Sequence, residues 1–181
     1  KVFPGLKVRR RAGDLLQLVR GRNKKVRKGG DHSVPIRGLI PGMAVHFASC
    51  CHPLPGDRIV GIVMTGKGVT VHTIDCETLE QFSDTPERWL DVAWEIDGKD
   101  PDTHVGRISV VMVNAAGSLS TMTAVIARNF GNISNLKITE RSTDFFEMIV
   151  DIEVRDVKHL TNIIAALRAD PSISSVDRAR S

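Results

Sequence analysis

HVGRISVVMVNAAGSLSTMTAVIARNFGN, residues 104–132, changes period partway along. Residues 104–113 are rich in Val and Ile and read as a strand. After the loop NAAGS, Leu119, Met122, Val125 and Ile126 recur at helical spacing, and Gly131 sits where a C-terminal cap belongs. Downstream, ISNLKITER (133–141) and FFEMIVDIEV (145–154) read as two strands joined by a short STD turn. VKHLTNIIAALRAD (157–170) is a second amphipathic helix with Asp156 as its N-cap candidate, and PSISSVDRA (171–179) closes with a strand. The order β-α-β-β-α-β is the ferredoxin-like split unit. Right-handed crossovers put both helices on one face of a four-stranded antiparallel sheet.

Upstream of this unit, DGKDPD (97–102) is polar and turn-rich and reads as a domain boundary. Residues 34–94 read as short strands. VPIRGL and AVHF flank an IPG turn, and DRIVGIVM and GVTVH flank TGKG, which suits a hairpin. DCETLEQF (75–82) reads as one or two helical turns capped by Asp75, and WLDVAWEI alternates as a strand. The fold class expected is α+β: a small, mostly-β cysteine module followed by a ferredoxin-like βαββαβ domain. The divisions expected are 1–33, 34–98 and 103–181. The first of these is a basic linker carrying a short amphipathic helix at 12–20.

The net charge of +4 hides a split. Residues 1–28 hold eleven Lys/Arg and one acid, whereas 29–181 hold fourteen Lys/Arg and twenty acids. Such an arm suits a polyanion or serves as a solvated linker. No apolar run is long enough to span a membrane, and three cysteines do not make a disulfide framework, so a reduced cytoplasmic setting is expected. The chain does not open on Met and reads as a piece of something longer.

FASCCHPLPGD (47–57) and HTIDC (72–76) together hold a soft-ligand set: Cys50, Cys51, His72 and Cys76, with His52 as a spare. Zinc takes four such donors in a tetrahedron. Adjacent cysteines on a strand point to opposite faces, so both reach one ion only from a turn, which Pro53 and Pro55 favour. Three readings stay open: a zinc site, a metal-free structural corner, and a thiol switch tuned by nearby histidines.

FASCCHPLPGDRIVGIVMTGKGVTVHTIDC resembles the conserved-cysteine module of the Rel family, the RelA/SpoT stringent-response proteins, also called the zinc-finger or ribosome-intersubunit (RIS) domain. The double Cys, the PxPGD turn, the IVG strand, the GxGVxVH hairpin and the HxxxC pair carry the likeness. Residues 104–181 resemble the ACT domain that follows it in the same family. This resemblance implies a regulatory region whose partners are catalytic domains N-terminal to it in the same chain. The parent would be a bifunctional (p)ppGpp synthetase/hydrolase. No hydrolase His-Asp pair with an acidic cluster and no synthetase nucleotide site is visible here, so no catalysis is expected of this chain.

The resemblance also implies contact with the ribosome and its RNA, for which Arg58, Lys67 and His72 are the candidates. Ten acids against two bases over 75–102 put any such contact on another face. An ACT domain further implies a small amino-acid effector held at the first strand–helix loop. The candidates are Asn114, Ala115, Ala116, Gly117, Ser118 and Leu119, with Ile133, Ser134 and Asn135 as the opposite wall. Helix-start amides favour the carboxylate, and Asn114 can face the ammonium in a loop where many family members carry an acid. Val113, Leu119, Met122 and Ile133 offer no charge to a charged side chain, which points to a branched-chain effector, valine or isoleucine. Exposed sheet edges favour a homodimer through this domain. Two alternatives accompany this: a pocket filled by its own side chains, and an RNA-binding adaptor.

Overall fold

Ile108, Val110 and Met112 alternate along one strand and Met148, Val150, Ile152 and Val154 along another; all are buried. They line one face of a four-stranded sheet built from β7 (His104–Val113), β8 (Asn132–Arg141), β9 (Phe145–Val154) and β10 (Ile173–Arg178). The computed structural model describes residues 36–95 and 103–179. The helix expected at 12–20, the basic arm and the polar boundary at 97–102 lie outside those residues. The sheet order is β10-β7-β9-β8, and each neighbouring pair is antiparallel. Two helices cover the face. α1 (Ser118–Arg128) contributes Met122 and Ile126, and α2 (Val157–Arg168) contributes Leu160, Ile163 and Leu167 to the same core. Burying each of these large side chains is worth about 1.5–3 kcal/mol. The α+β architecture expected from the two periodicities is the one observed.

Asp156 caps α2 as its position suggests, accepting from the His159 amide at 2.7 Å. The end of α1 differs from expectation. The left-handed residue is Phe130 (φ 63°), not Gly131. The Phe130 amide donates to Ala127 O and the Gly131 amide to Ile126 O, which completes a Schellman pair of bonds. Gly131 is needed for space. A Cβ there would lie 2.9 Å from Ile126, Ile152 and Ile163 side-chain atoms.

The N-terminal module is a second four-stranded sheet, β2-β4-β3-β5, beside a two-stranded pair, β1-β6. Its strands are β1 (Ile36–Arg37), β2 (Val45–Phe47), β3 (Ile59–Met64), β4 (Gly68–Thr73), β5 (Trp89–Asp91) and β6 (Ala93–Trp94). β3 and β4 form the expected hairpin, with Gly66 and Gly68 at positive φ. WLDVAWEI is not one strand. Val92 is buried between β5 and β6, and the chain leaves β3 there to pair with β1. Asp75 is not a helix cap. Cys76, in extended conformation, precedes a 3₁₀ helix, Glu77–Phe82, and supplies no side-chain cap.

Two substitutions at the end of α1 should move stability in opposite directions, as read by urea unfolding. Gly131→Ala should destabilise by about 1–3 kcal/mol through overpacking. Phe130→Gly should stabilise by about 1 kcal/mol, because Phe130 pays a left-handed penalty while 85% exposed.

Candidate metal centre and effector loop

Cys50 and Cys51 sit in a turn closed by the His52 amide on Ala48 O at 3.0 Å, with His52 itself left-handed (φ 44°). This backbone lets two adjacent thiols reach one place. Cys50 Sγ lies 3.5 Å from His72 Nδ1 and 3.4 Å from Cys76 Sγ, and Cys51 Sγ lies 3.9 Å from the same nitrogen. β4 delivers His72 at its end, and the chain reverses to bring back Cys76, whose amide donates to Thr73 O. All four ligand atoms lie within 4.8 Å of one another. A tetrahedral zinc with bonds of about 2.0–2.3 Å separates its donors by about 3.3–3.8 Å. The 3.4 and 3.5 Å separations fall in that range and the wider ones exceed it, so these three sulfurs and one imidazole nitrogen, the residues that the sequence singled out, could hold a metal ion on a small contraction. His52, the spare, is not among them.

The surroundings set the protonation of each donor. Burial pushes the Cys51 thiol up to about 12, against the Thr73 amide that donates to its sulfur at 3.4 Å. Burial also depresses His72, which keeps the imidazole neutral and free to ligate. Cys76 is buried too, yet hydrogen bonds with Thr78, Cys50 and Cys51 hold its thiol below the ordinary value. The depressed thiol that a switch would need is thus found at Cys76, and its lowering comes from hydrogen bonds with Thr78, Cys50 and Cys51.

The proposed RNA candidates separate. Arg58 and Lys67 are exposed at opposite ends of β3, whereas His72 is only 5% exposed and turned toward the thiols. The correction follows from β4 burying that face: His72 lies among the candidate metal donors and away from the surface that an RNA contact needs.

The candidate effector loop lies where β7 ends. Asn114 donates from its amide to Asp144 O and from Nδ2 to Ser142 O, both at 2.7 Å, so the β8–β9 turn braces it. Ala115 and Ala116 are exposed, and Gly117 is left-handed (φ 91°) ahead of α1. Ser118 is buried and its amide is taken by Ala115 O, which removes one of the helix-start amides expected to face a carboxylate. Leu119 is exposed at the first turn. Ile133, Ser134 and Asn135 do not form the opposite wall within one protomer. β8 runs parallel to β7, and Ile133 pairs with Ile152, which pairs with Gly106. These residues therefore lie roughly 25 Å along the sheet from Asn114.

Ser134 and Asn135 belong to a different network. Arg107 grips Asp151 through two bonds, 2.6 and 3.0 Å, Asn135 Nδ2 adds a third at 3.2 Å, and Ser134 Oγ donates to Asp151 O. Arg107 holds the Asp151 carboxyl below the usual carboxylate range, against its burial. Composition and spacing carried no signal for this pair, nor for the role of Ser142 and Asp144, beyond the turn chemistry of the STD string.

Residues 34–95 match the family model described as the RelA/SpoT RIS domain, and residues 101–178 match the model described as the ACT domain. The GTP pyrophosphokinase rsh of Brucella ovis is 44% identical over 151 residues, which cover 83% of this chain and 20% of that protein. The bifunctional (p)ppGpp synthase/hydrolase SpoT of Escherichia coli is 33% identical over 147 residues, which cover 81% of this chain and 20% of that protein. The chain thus spans 20% of the length of these curated relatives. A crystal structure of the ACT domain from GTP pyrophosphokinase of Chlorobium tepidum is similar to it with a TM-score of 0.38 and 22% identity, covering 42% of this chain and 99% of that one.

Because the folded Asp151 pKa is depressed, its stabilisation is full above the unfolded value of about 3.9 and is lost as pH falls through the folded value. Asp151→Asn should abolish that acid-range slope in thermal melts. It should also cost about 2 kcal/mol at neutral pH, since Arg107 is left without its partner.

Proposed function

The chain belongs to the RelA/SpoT family as a regulatory RIS–ACT region, and from that premise we propose that it senses a branched-chain amino acid and relays its presence to (p)ppGpp-metabolising catalytic domains. The parent enzyme, on this reading, is a cytoplasmic, bifunctional (p)ppGpp synthetase/hydrolase, and this region itself carries no catalysis. The names of its relatives support that parentage. Among the described residues, no helix is long and apolar enough to cross a membrane.

One observation carries the sensing proposal: the candidate effector residues stand at opposite ends of the ACT sheet, and β8 is an exposed edge between them. Antiparallel pairing of β8 with β8 of a second copy brings residues 133–135 of one protomer to the 114–119 loop of the other. The site is then complete only in the homodimer, and the open edge of β8 is covered. Amides at Gly117 and Leu119 serve the carboxylate. Asp144, across from Asn114, supplies the acid that the loop lacks. Valine or isoleucine fills the space beside Val113 and Leu119. A ligand that bridges two protomers favours the paired state, which is the thermodynamic route by which it acts at a distance.

Zinc held by Cys50, Cys51, His72 and Cys76 is the structural cofactor of the RIS domain in this proposal. Such an ion closes a fold whose sheet has only short edge strands. Ribosomal RNA remains a proposed partner through Arg58 and Lys67, the two exposed cations of the hairpin region. The RNA-adaptor alternative assigns polyanion affinity to the basic arm and no effector to the loop.

Titration calorimetry should detect valine and isoleucine and no acidic or basic amino acid. Ile138→Lys, on β8 and 46% exposed, should weaken both the dimer and valine binding by about tenfold or more. Silence toward valine, isoleucine and leucine removes the sensing proposal. Metal analysis of purified protein should give one zinc per chain, and Cys51→Ser should lose it. A metal-free chain that melts like the wild type would refute the structural role.

A further inference from the structure

One turn serves both domains. Cys50 and Cys51 donate to the cluster, and the next five positions, HPLPG, run directly into the ACT domain. Leu54 is fully buried, and it is buried in the ACT core with Leu160, Ile108 and Val154. Gly56 lies so close to α2 that a Cβ there would stand 2.9 Å from Val157 Cγ1. The Val157 amide, at the first turn of α2, donates to Pro55 O at 3.0 Å. On the other side, Arg178 at the end of β10 donates to Asp57 Oδ1 at 2.8 Å, to Asp57 Oδ2 at 2.6 Å and to His52 O at 2.8 Å. Asp57 Oδ2 also accepts from the Leu54 amide at 2.7 Å, which locks the turn on itself. Both charged side chains are largely buried, at 19% and 11% exposure.

Resting on the zinc assignment above, we propose that metal binding at Cys50, Cys51, His72 and Cys76 is energetically coupled to the ACT domain, with residues 53–57 as the rigid coupler. The cluster fixes one end of this segment and the ACT core fixes the other. Only His52 and Pro53 separate Cys51 from Leu54, and Pro53 and Pro55 each hold φ near −65°. So short and stiff a link cannot absorb a shift at one end without passing it to the other. A cleft of about 250 Å³, lined by Cys51, Asp57, Arg58, Thr73 and Arg178, lies against the back of the cluster at this seam. The turn is thus bound to both domains at once, and the folding energy that the metal supplies reaches α2 and β10 through Leu54, Pro55 and the Asp57–Arg178 pair. Linkage makes the effect reciprocal: whatever factor zinc adds to the order of the ACT elements, their docking adds to zinc affinity.

The test uses the whole chain with and without zinc, with zinc affinity read by competition with a chromophoric chelator. Amide hydrogen exchange over residues 157–178 should slow by about tenfold when zinc binds. The double variant Asp57→Asn/Arg178→Gln should lose that slowing and bind zinc more weakly by the same factor. Absence of zinc uptake overturns the metal assignment and the coupling together. Zinc uptake with unchanged exchange over 157–178 overturns the coupling and leaves the metal site standing. Slowing that survives in the double variant overturns the role of the turn. If the double variant does not fold, Arg178→Lys, which keeps the charge but not the fork, must show a partial loss of both effects, and wild-type values for both would overturn the proposal.

Discussion

Leu54 is covalently part of the RIS domain and physically part of the ACT core, and the Asp57–Arg178 pair beside it fixes the angle at which the two domains meet. Burial of the leucine supplies the favourable energy at this joint, on the order of 2 kcal/mol. The ion pair adds little net stability, because desolvation offsets most of its attraction. What it adds is direction: two parallel bonds from a planar guanidinium admit one orientation of the carboxylate. A second contact group reinforces the seam. Phe47 and Trp94 stack at 5.6 Å, and His104, the first residue of β7, meets both rings edge-on.

The cysteine cluster depends on the same turn. Two neighbouring thiols converge because His52 takes a left-handed backbone conformation that costs a non-glycine residue about 1–2 kcal/mol. Arg178, which bonds His52 O, is one of the contacts that hold that conformation. The donor set therefore leans on the last strand of the other domain. Burial pushes the Cys51 thiol up to about 12, so a thiolate there needs a compensating cation, which the proposed metal would supply.

Topology governs the candidate effector loop in a different way. β7 and β8 run parallel with β9 between them, so the loop after β7 and the start of β8 are at opposite ends. No side-chain choice in a single protomer closes that gap. In the proposed homodimer symmetry closes it, because antiparallel pairing of an edge strand with its copy exchanges its two ends, and on that proposal binding and association form one equilibrium.

Periodicity by itself determined the larger domain. The alternation of 104–113 and 145–154, the helical spacing of Met122 and Ile126 and of Leu160, Ile163 and Leu167, and the Asp156 cap are local signals, and local chemistry decides them. The four candidate metal donors were also legible as a cluster, because soft ligands are rare and three of them flank one histidine within 27 residues. Tertiary structure decided the rest. It took Gly131 for a three-isoleucine contact and left Phe130 as the left-handed residue. Burial of Val92 broke WLDVAWEI into two strands, and burial of His72 removed it from the surface. The same packing parted Ile133, Ser134 and Asn135 from Asn114 and assigned Leu54 to the neighbouring domain. Each of those outcomes depends on atoms distant in sequence meeting in space, and spacing along a chain carries no record of such meetings.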